Sequence, residues 1–204
     1  MELFPPDATQ NLLPCDGIVN YHGPVLPPAS ADAFYQTLYH QIPWQQDEAI
    51  LFGKRIVTAR KVAWYGDSEF SYTYSGTTKS ALPWTPALLR LKQLAETLTR
   101  TQFNSCLLNL YHDGSEGMAW HSDDERSLAR HSTIASISLG AERTFRLKHK
   151  QLPLSTAILL EHGSLLTMKD TTQSHWLHCV PKSKKITTPR INLTFRTMAS
   201  HSGS

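Results

Sequence analysis

The stretch RINLTFR, residues 190–196, separates into two alternating sets. By the period-2 rule of a strand, Ile191, Leu193 and Phe195 share one face, and Arg190, Asn192, Thr194 and Arg196 share the other. Two arginines pointing the same way off an apolar strand fit an ordinary solvated face poorly. Guanidinium forks hold carboxylates through paired hydrogen bonds, so this face suits a dicarboxylic ligand. A second segment, SCLLNLY at 105–111, repeats the logic. Asn109 and Tyr111 share a face with Leu107, and an amide and a phenol there can hydrogen-bond the same ligand.

Around these two strands the chain reads as a succession of short strands after residue 100, broken by turns and without intervening helices, which suggests a sandwich or barrel. Upstream, two helices are expected. Ser30 is placed as the cap of one through ADAFYQTLYHQI. Thr85 and Pro86 open another that carries Leu88, Leu91, Ala95 and Leu98 on one face. Between them, ILFGKRIVTARKVAWYGDSEFSYTYSG is rich in aromatic and β-branched residues and reads as hairpins. Residues 1–28, rich in Pro and Gly, are expected to wrap over the body.

Composition narrows the classes. The 204 residues suffice for one well-cored domain, and 40% hydrophobic with 18% charged residues reads as soluble and globular. No apolar run reaches membrane-spanning length, since AILLEHGSLLTM is interrupted by Glu161, His162 and Gly163. The opening MELFPPDATQ lacks a basic segment followed by an apolar one, so no secretion signal is expected. The three cysteines, Cys15, Cys106 and Cys179, are odd in number and far apart, which fits a reducing compartment. A formal charge of +3 permits nucleic-acid binding without demanding it.

The stretch WHSDDE, residues 120–125, crowds three carboxylates behind a histidine. On an extended segment His121 and Asp123 share a face and can supply two ligands to a divalent metal. A third must come from elsewhere, and His178, His175 and His162 are the candidates. Two histidines and one carboxylate on one face of an octahedron leave three open sites, the arrangement of non-haem Fe(II) oxygenases.

Taken in order, FNSCLLNLYHDG, WHSDDE, IASISLGAERTF, HGSLLTM, HWLHCVPK and PRINLTFR resemble the AlkB family of Fe(II)- and 2-oxoglutarate-dependent dioxygenases, over roughly residues 50–198. The resemblance implies a mainly β fold with flanking helices: a double-stranded β-helix, or jelly-roll, core at 101–198. Residues 1–100 form an N-terminal extension with helices and a nucleotide-recognition lid packed on it, and 199–204 a tail, all in one structural domain. It assigns His121, Asp123 and His178 to Fe(2+), with 2-oxoglutarate and O2 as cosubstrates. Asn109, Tyr111, Arg190, Thr194 and Arg196 go to 2-oxoglutarate.

The activity implied is oxidative demethylation of N-alkylated bases in single- or double-stranded DNA, for direct reversal of alkylation damage, with RNA, a protein or a small molecule as alternatives. The expected form is a monomer without membrane attachment, cytoplasmic in a bacterium and nuclear or cytoplasmic in a eukaryote. On the substrate side, Glu125 is expected to accept from an exocyclic amine and Asp124 to hold the lid residue Arg60. Tyr74, with Tyr72 and Ser75 nearby, is expected on the base face opposite His121. LFGK, residues 51–54, resembles a finger pushed into duplex DNA, with Phe52 filling the gap left by a flipped base, Gly53 turning the chain and Lys54 meeting phosphate.

The finger generates a measurement. Phe52→Ala is expected to slow repair of a methylated base in duplex DNA roughly ten- to a hundredfold, from the stacking lost. Repair of the same base in a short single strand, compared at one salt concentration, falls far less. Equal losses on both substrates would exclude a wedge.

Overall fold

A computed structural model describes residues 7–51, 54–67, 71–74, 77–125 and 127–199. In chain order the elements begin with β1 (Ile18–Pro24), α1 (Pro28–Gln41), β2 (Gln45–Leu51) and β3 (Lys54–Gly66). A short ribbon of β4 (Ser71–Tyr74) and β5 (Thr77–Ser80) precedes α2 (Pro86–Thr99). Strands then dominate: β6 (Ser105–Tyr111), β7 (Met118–His121), β8 (Ile134–Gly140), β9 (Arg143–His149), β10 (Ser155–Leu160) and β11 (Ser164–Lys169). The one-turn helix α3 (Thr172–His175) leads into β12 (Trp176–Val180), and β13 (Arg190–Arg196) follows.

Two antiparallel sheets build the body. The larger has the order β1-β11-β8-β13-β6-β3-β2 and the smaller β10-β9-β12-β7. This is the jelly-roll arrangement expected from the sequence. The alternation of β13 explains how the layers stack. Ile191, Leu193 and Phe195 are fully buried with Leu38 of α1 and Leu88, Leu91 and Ala95 of α2, so the helices cover the outer face of the larger sheet. A second core, with Phe145, Leu147, Leu166, Met168 and Trp176, fills the space between the sheets. The polar face of β13 looks into that inter-sheet space, at the middle of the larger sheet.

The parts assigned to residues 1–100 and 101–198 share this sheet. β3 pairs with β6 and β1 pairs with β11, so N-terminal strands complete both edges. Residues 200–204, most of the expected tail, lie outside the described residues, while the Ala199 N–H still bonds the Ser127 carbonyl at 2.9 Å. Among the described residues no helix is long and apolar enough to cross a membrane.

The helix starts differ in how well they were anticipated. Thr85 caps α2, accepting from the Leu88 N–H at 3.3 Å, with Pro86 in the first position. Leu98, however, stays 40% exposed in its last turn. In α1 the expected cap at Ser30 is displaced: Pro28 opens the helix behind Pro27, and no side chain caps it. Proline at the first position needs no N–H partner and its φ is already helical, so the start moves upstream. Ser30 instead donates its N–H to the Pro27 carbonyl at 2.9 Å, inside the first turn.

Leu193, 0% exposed between sheet and helices, tests this packing. Leu193→Ala is expected to cost about 2–5 kcal/mol. The loss is read as a lowered urea midpoint at unchanged slope.

Candidate active site

The register of β7 and β12 sets His121 directly opposite His178. Opposed residues of paired strands project from the same face, and the two imidazole rings meet with centroids 4.2 Å apart. Just past the end of β7, Asp123 joins them, its Oδ1 3.8 Å from His121 Nε2. One ligand atom from each of the three lies within 4.8 Å of the others, a spacing that one divalent ion can bridge. His121 Nδ1 lies 2.8 Å from the Ala119 carbonyl. A carbonyl only accepts, so Nδ1 carries the proton and the Nε2 lone pair is left for a metal.

His178 is thus the histidine that completes the group. His175 lies with Nδ1 3.2 Å from the Thr171 carbonyl and stacks on His149. His162 accepts from the Gly140 N–H at 2.8 Å and faces Asp32 with its other nitrogen. Burial pushes the His178 imidazole down to about 3 against the pull of Asp123, so it is neutral and able to ligate at physiological pH. For Asp123, burial works against the charge, but Arg196 and the two imidazoles hold its carboxyl below the usual carboxylate range.

Cys15, Asp16 and His149 also cluster closely. There His149 Nδ1 accepts from the N–H groups of Gln151 and Leu152, at 3.1 and 2.9 Å. Its proton must sit on Nε2, 3.2 Å from Asp16, and that nitrogen has no lone pair for a metal.

From the triad, a polar ladder runs along β13. Arg196 Nη2 bonds Asp123 Oδ2 at 2.8 Å. Asn192 Nδ2 donates to Thr194 Oγ1 at 2.8 Å, and Ser136 Oγ donates to Asn192 Oδ1 at 2.9 Å. At the far end, Arg190 Nη2 donates to Ser138 Oγ and Asn192 Oδ1, at 2.9 and 2.8 Å. Asn109 and Tyr111 of β6 lie beside it, paired in register with Asn192 and Arg190. The Arg190 guanidinium sits 5.5 Å from the Tyr111 ring centroid. Asn109 Oδ1, Arg190 Nε and Arg196 Nε are buried and find no partner among the described residues. Orphaned polar atoms of this kind, flanked by two buried cations, fit a bound dicarboxylate.

Comparison with known proteins agrees with this geometry. A family model described as the 2OG-Fe(II) oxygenase superfamily matches residues 17–196. The chain is 43% identical over 178 residues to the alpha-ketoglutarate-dependent dioxygenase alkB homolog 3 of Bos taurus, covering 82% of this chain and 62% of that protein. To the DNA oxidative demethylase ALKBH2 of Homo sapiens it is 40% identical over 179 residues, covering 82% of this chain and 69% of that protein. The chain belongs to the AlkB family of the 2OG-Fe(II) oxygenases. A solved structure of OsALKBH1 shares the fold, with a TM-score of 0.64 at 15% identity, covering 92% of this chain and 99% of that one. The chain therefore spans under two thirds of the length of the bovine relative.

Membership of the AlkB family implies Fe(2+), 2-oxoglutarate and O2. The His121, Asp123 and His178 donors fit iron, leaving open positions, and the orphaned atoms on β6 and β13 fit the 2-oxo acid.

Asp124 and Glu125 are exposed next to Asp123, along a cleft that also includes Arg130 and His131. Arg60 was expected to pair with Asp124. Its carboxylate partner is instead Asp47. A register shift between Gln46 and Glu48 in the β2–β3 pairing brings Asp47 beside Arg60, which reaches toward Met118 and lies 6.0 Å from the Tyr111 ring. Tyr72 and Tyr74 pair with Lys79 and Thr77 in the β4–β5 ribbon, and Lys54 pairs with Leu51. The side chains of those three, and all of Phe52, Gly53 and Ser75, lie outside the described residues.

Several contributors were not read from sequence. Gln173 Oε1 accepts from the Asp123 N–H at 2.8 Å and fixes the segment that carries the carboxylate. Ser136 and Ser138 of β8 buttress Asn192 and Arg190. The serines had a local signal, since ASIS places two hydroxyls on one face of a buried strand. Gln173 had none, being 50 residues from its partner.

The metal site makes a direct prediction. His121→Ala, Asp123→Ala and His178→Ala each abolish stoichiometric Fe(II) binding under anaerobic conditions, while His175→Ala retains it. Retained binding in His178→Ala would remove that residue from the site.

Proposed function

We propose that the protein is an oxidative demethylase of N-alkylated bases in DNA, of the 1-methyladenine and 3-methylcytosine type, and that it reverses alkylation damage. The observation that carries this reading is the pair of exposed carboxylates, Asp124 and Glu125, immediately behind the metal ligand Asp123. Adenine methylated at N1 and cytosine methylated at N3 are cations with an exocyclic amine, and carboxylates at the site mouth favour both features. The relative ALKBH2, named as a DNA oxidative demethylase, supports the same substrate class.

In this reading His121, Asp123 and His178 hold iron. Arg190, Asn109 and Tyr111 bind one end of 2-oxoglutarate, and Thr194 and Arg196 lie toward the metal end. Bound iron, 2-oxoglutarate and O2 supply hydroxylation of the methyl carbon, with succinate and carbon dioxide as co-products. The N-hydroxymethyl group then loses formaldehyde and a proton, and the neutral base is restored.

The chain's own residues position and exclude. Arg196 holds Asp123 from one side and Gln173 holds its backbone from the other, so the carboxylate has one direction open. Arg60, buried beside Met118 and Tyr111, shields the cosubstrate pocket from water on the lid side. Asp124 and Glu125, with Tyr72, Tyr74 and Ser75, meet the flipped base. Phe52, Gly53 and Lys54 meet the strand it leaves.

Iron-loaded protein with 2-oxoglutarate is expected to release one formaldehyde per methylated base from an oligodeoxynucleotide, and none from its unmethylated twin. Single-stranded, duplex and ribo-oligonucleotide substrates are compared in parallel. Succinate formation without formaldehyde on all three would end the reading.

A further inference from the structure

Arg143 opens β9 and is 1% exposed, one of the largest fully buried side chains in the protein. Among the described residues its guanidinium meets no carboxylate. It donates instead to three backbone carbonyls: Asp113 at 3.3 Å from Nη1, and Glu116 and Pro181 at 2.7 and 2.9 Å from Nη2. Those carbonyls belong to two loops. One leaves β6 directly after Tyr111, and the other runs from β12 to Arg190 at the start of β13.

The loops are also joined to each other. The Gly114 N–H donates to the Ile186 carbonyl at 2.8 Å, and the Ser183 N–H donates to the Gly114 carbonyl at 2.7 Å. The approach is close enough that a Cβ on Gly114 would lie 2.0 Å from the Ser183 carbonyl oxygen. Behind this seam the Arg143 guanidinium carbon sits 5.6 Å from the Tyr111 ring centroid, and the Arg190 guanidinium carbon 5.5 Å from it. One phenol ring, itself 2% exposed, thus carries two buried cations.

We propose that Arg143 is a positioning residue for 2-oxoglutarate. It ties together the two loops that leave Tyr111 and enter Arg190, and so sets the stack of phenol and guanidinium that receives the carboxylate remote from the metal. The proposal rests on the reading of Tyr111 and Arg190 as cosubstrate residues. A planar fork is required, because three carbonyls on two segments have to be met at once. An ammonium in the same place keeps the charge but not the geometry.

The test uses full-length protein loaded with Mn(II), without oxygen, and compares Arg143→Lys, Arg143→Met and Arg190→Met. Affinity for 2-oxoglutarate is measured by calorimetry, Mn(II) affinity separately, and amide hydrogen exchange in the free protein at residues 112–117 and 181–186. Both Arg143 variants are expected to bind 2-oxoglutarate about ten- to a hundredfold more weakly, by analogy with the cost of removing a group that orients a metal ligand. Their Mn(II) affinity stays at the wild-type value, and both loops exchange faster. Arg190→Met loses 2-oxoglutarate without faster loop exchange. If Arg143→Met does not fold, Arg143→Lys decides alone. Wild-type 2-oxoglutarate affinity in a folded Arg143 variant, even one with a lowered melting temperature, overturns the proposal. Wild-type affinity in Arg190→Met overturns the reading beneath it, and the proposal with it.

Discussion

Two guanidiniums buried on the inner face of β13 constrain the rest of the site. Arg196 is balanced by Asp123. Among the described residues Arg190 is not: its hydrogen-bond partners are the neutral side chains of Ser138 and Asn192, and a phenol ring lies beside it. Burial pushes its pKa down to about 10, with Tyr111 pulling the other way. A buried cation with only neutral partners is costly, and an anion that reaches it recovers much of that cost. Such a cation suits a carboxylate ligand. The fold sustains this because the other face of the same strand is entirely apolar and sealed by two helices.

The metal group depends on the second sheet in a complementary way. His121 and His178 come from adjacent strands and meet because their register opposes them, and Asp123 comes from the loop just beyond. The Arg196 bond to Asp123 ties the metal group to the polar face of β13 at this point. Gln173, on the short helix before β12, holds the same aspartate by its backbone. His121, through the Ala119 carbonyl, and Asp123, through Arg196 and Gln173, are thus each oriented by a neighbour outside the triad.

The β2–β3 hairpin joins the core through Arg60. Its guanidinium pairs with Asp47 on β2 and at the same time approaches Met118 and Tyr111 of the core. Three arginines, at residues 60, 143 and 190, therefore surround Tyr111. Only Arg60 has a carboxylate partner among the described residues.

Local patterns were legible without coordinates. The alternation in RINLTFR and SCLLNLY determined which side chains face inward, because side-chain direction in a strand depends only on parity. The His121-x-Asp123 spacing placed two ligands for the same reason, and Thr85 with Pro86 marked a helix start through chemistry confined to one turn. What required the tertiary structure was the choice of partner. Nothing local distinguishes His178 from His175, three residues earlier; the β12–β7 register does, across 57 residues of chain. Nothing local assigns Arg60 to Asp47 rather than Asp124; a β-bulge does. The N-terminal strand joins the edge of the larger sheet because an unpaired β11 was there to be covered, about 150 residues downstream. Arg143 reads locally as one more basic residue in a strand, and only the meeting of two distant loops makes it a buried clamp. Parity is a property of a few consecutive residues, whereas register and strand order belong to the whole chain.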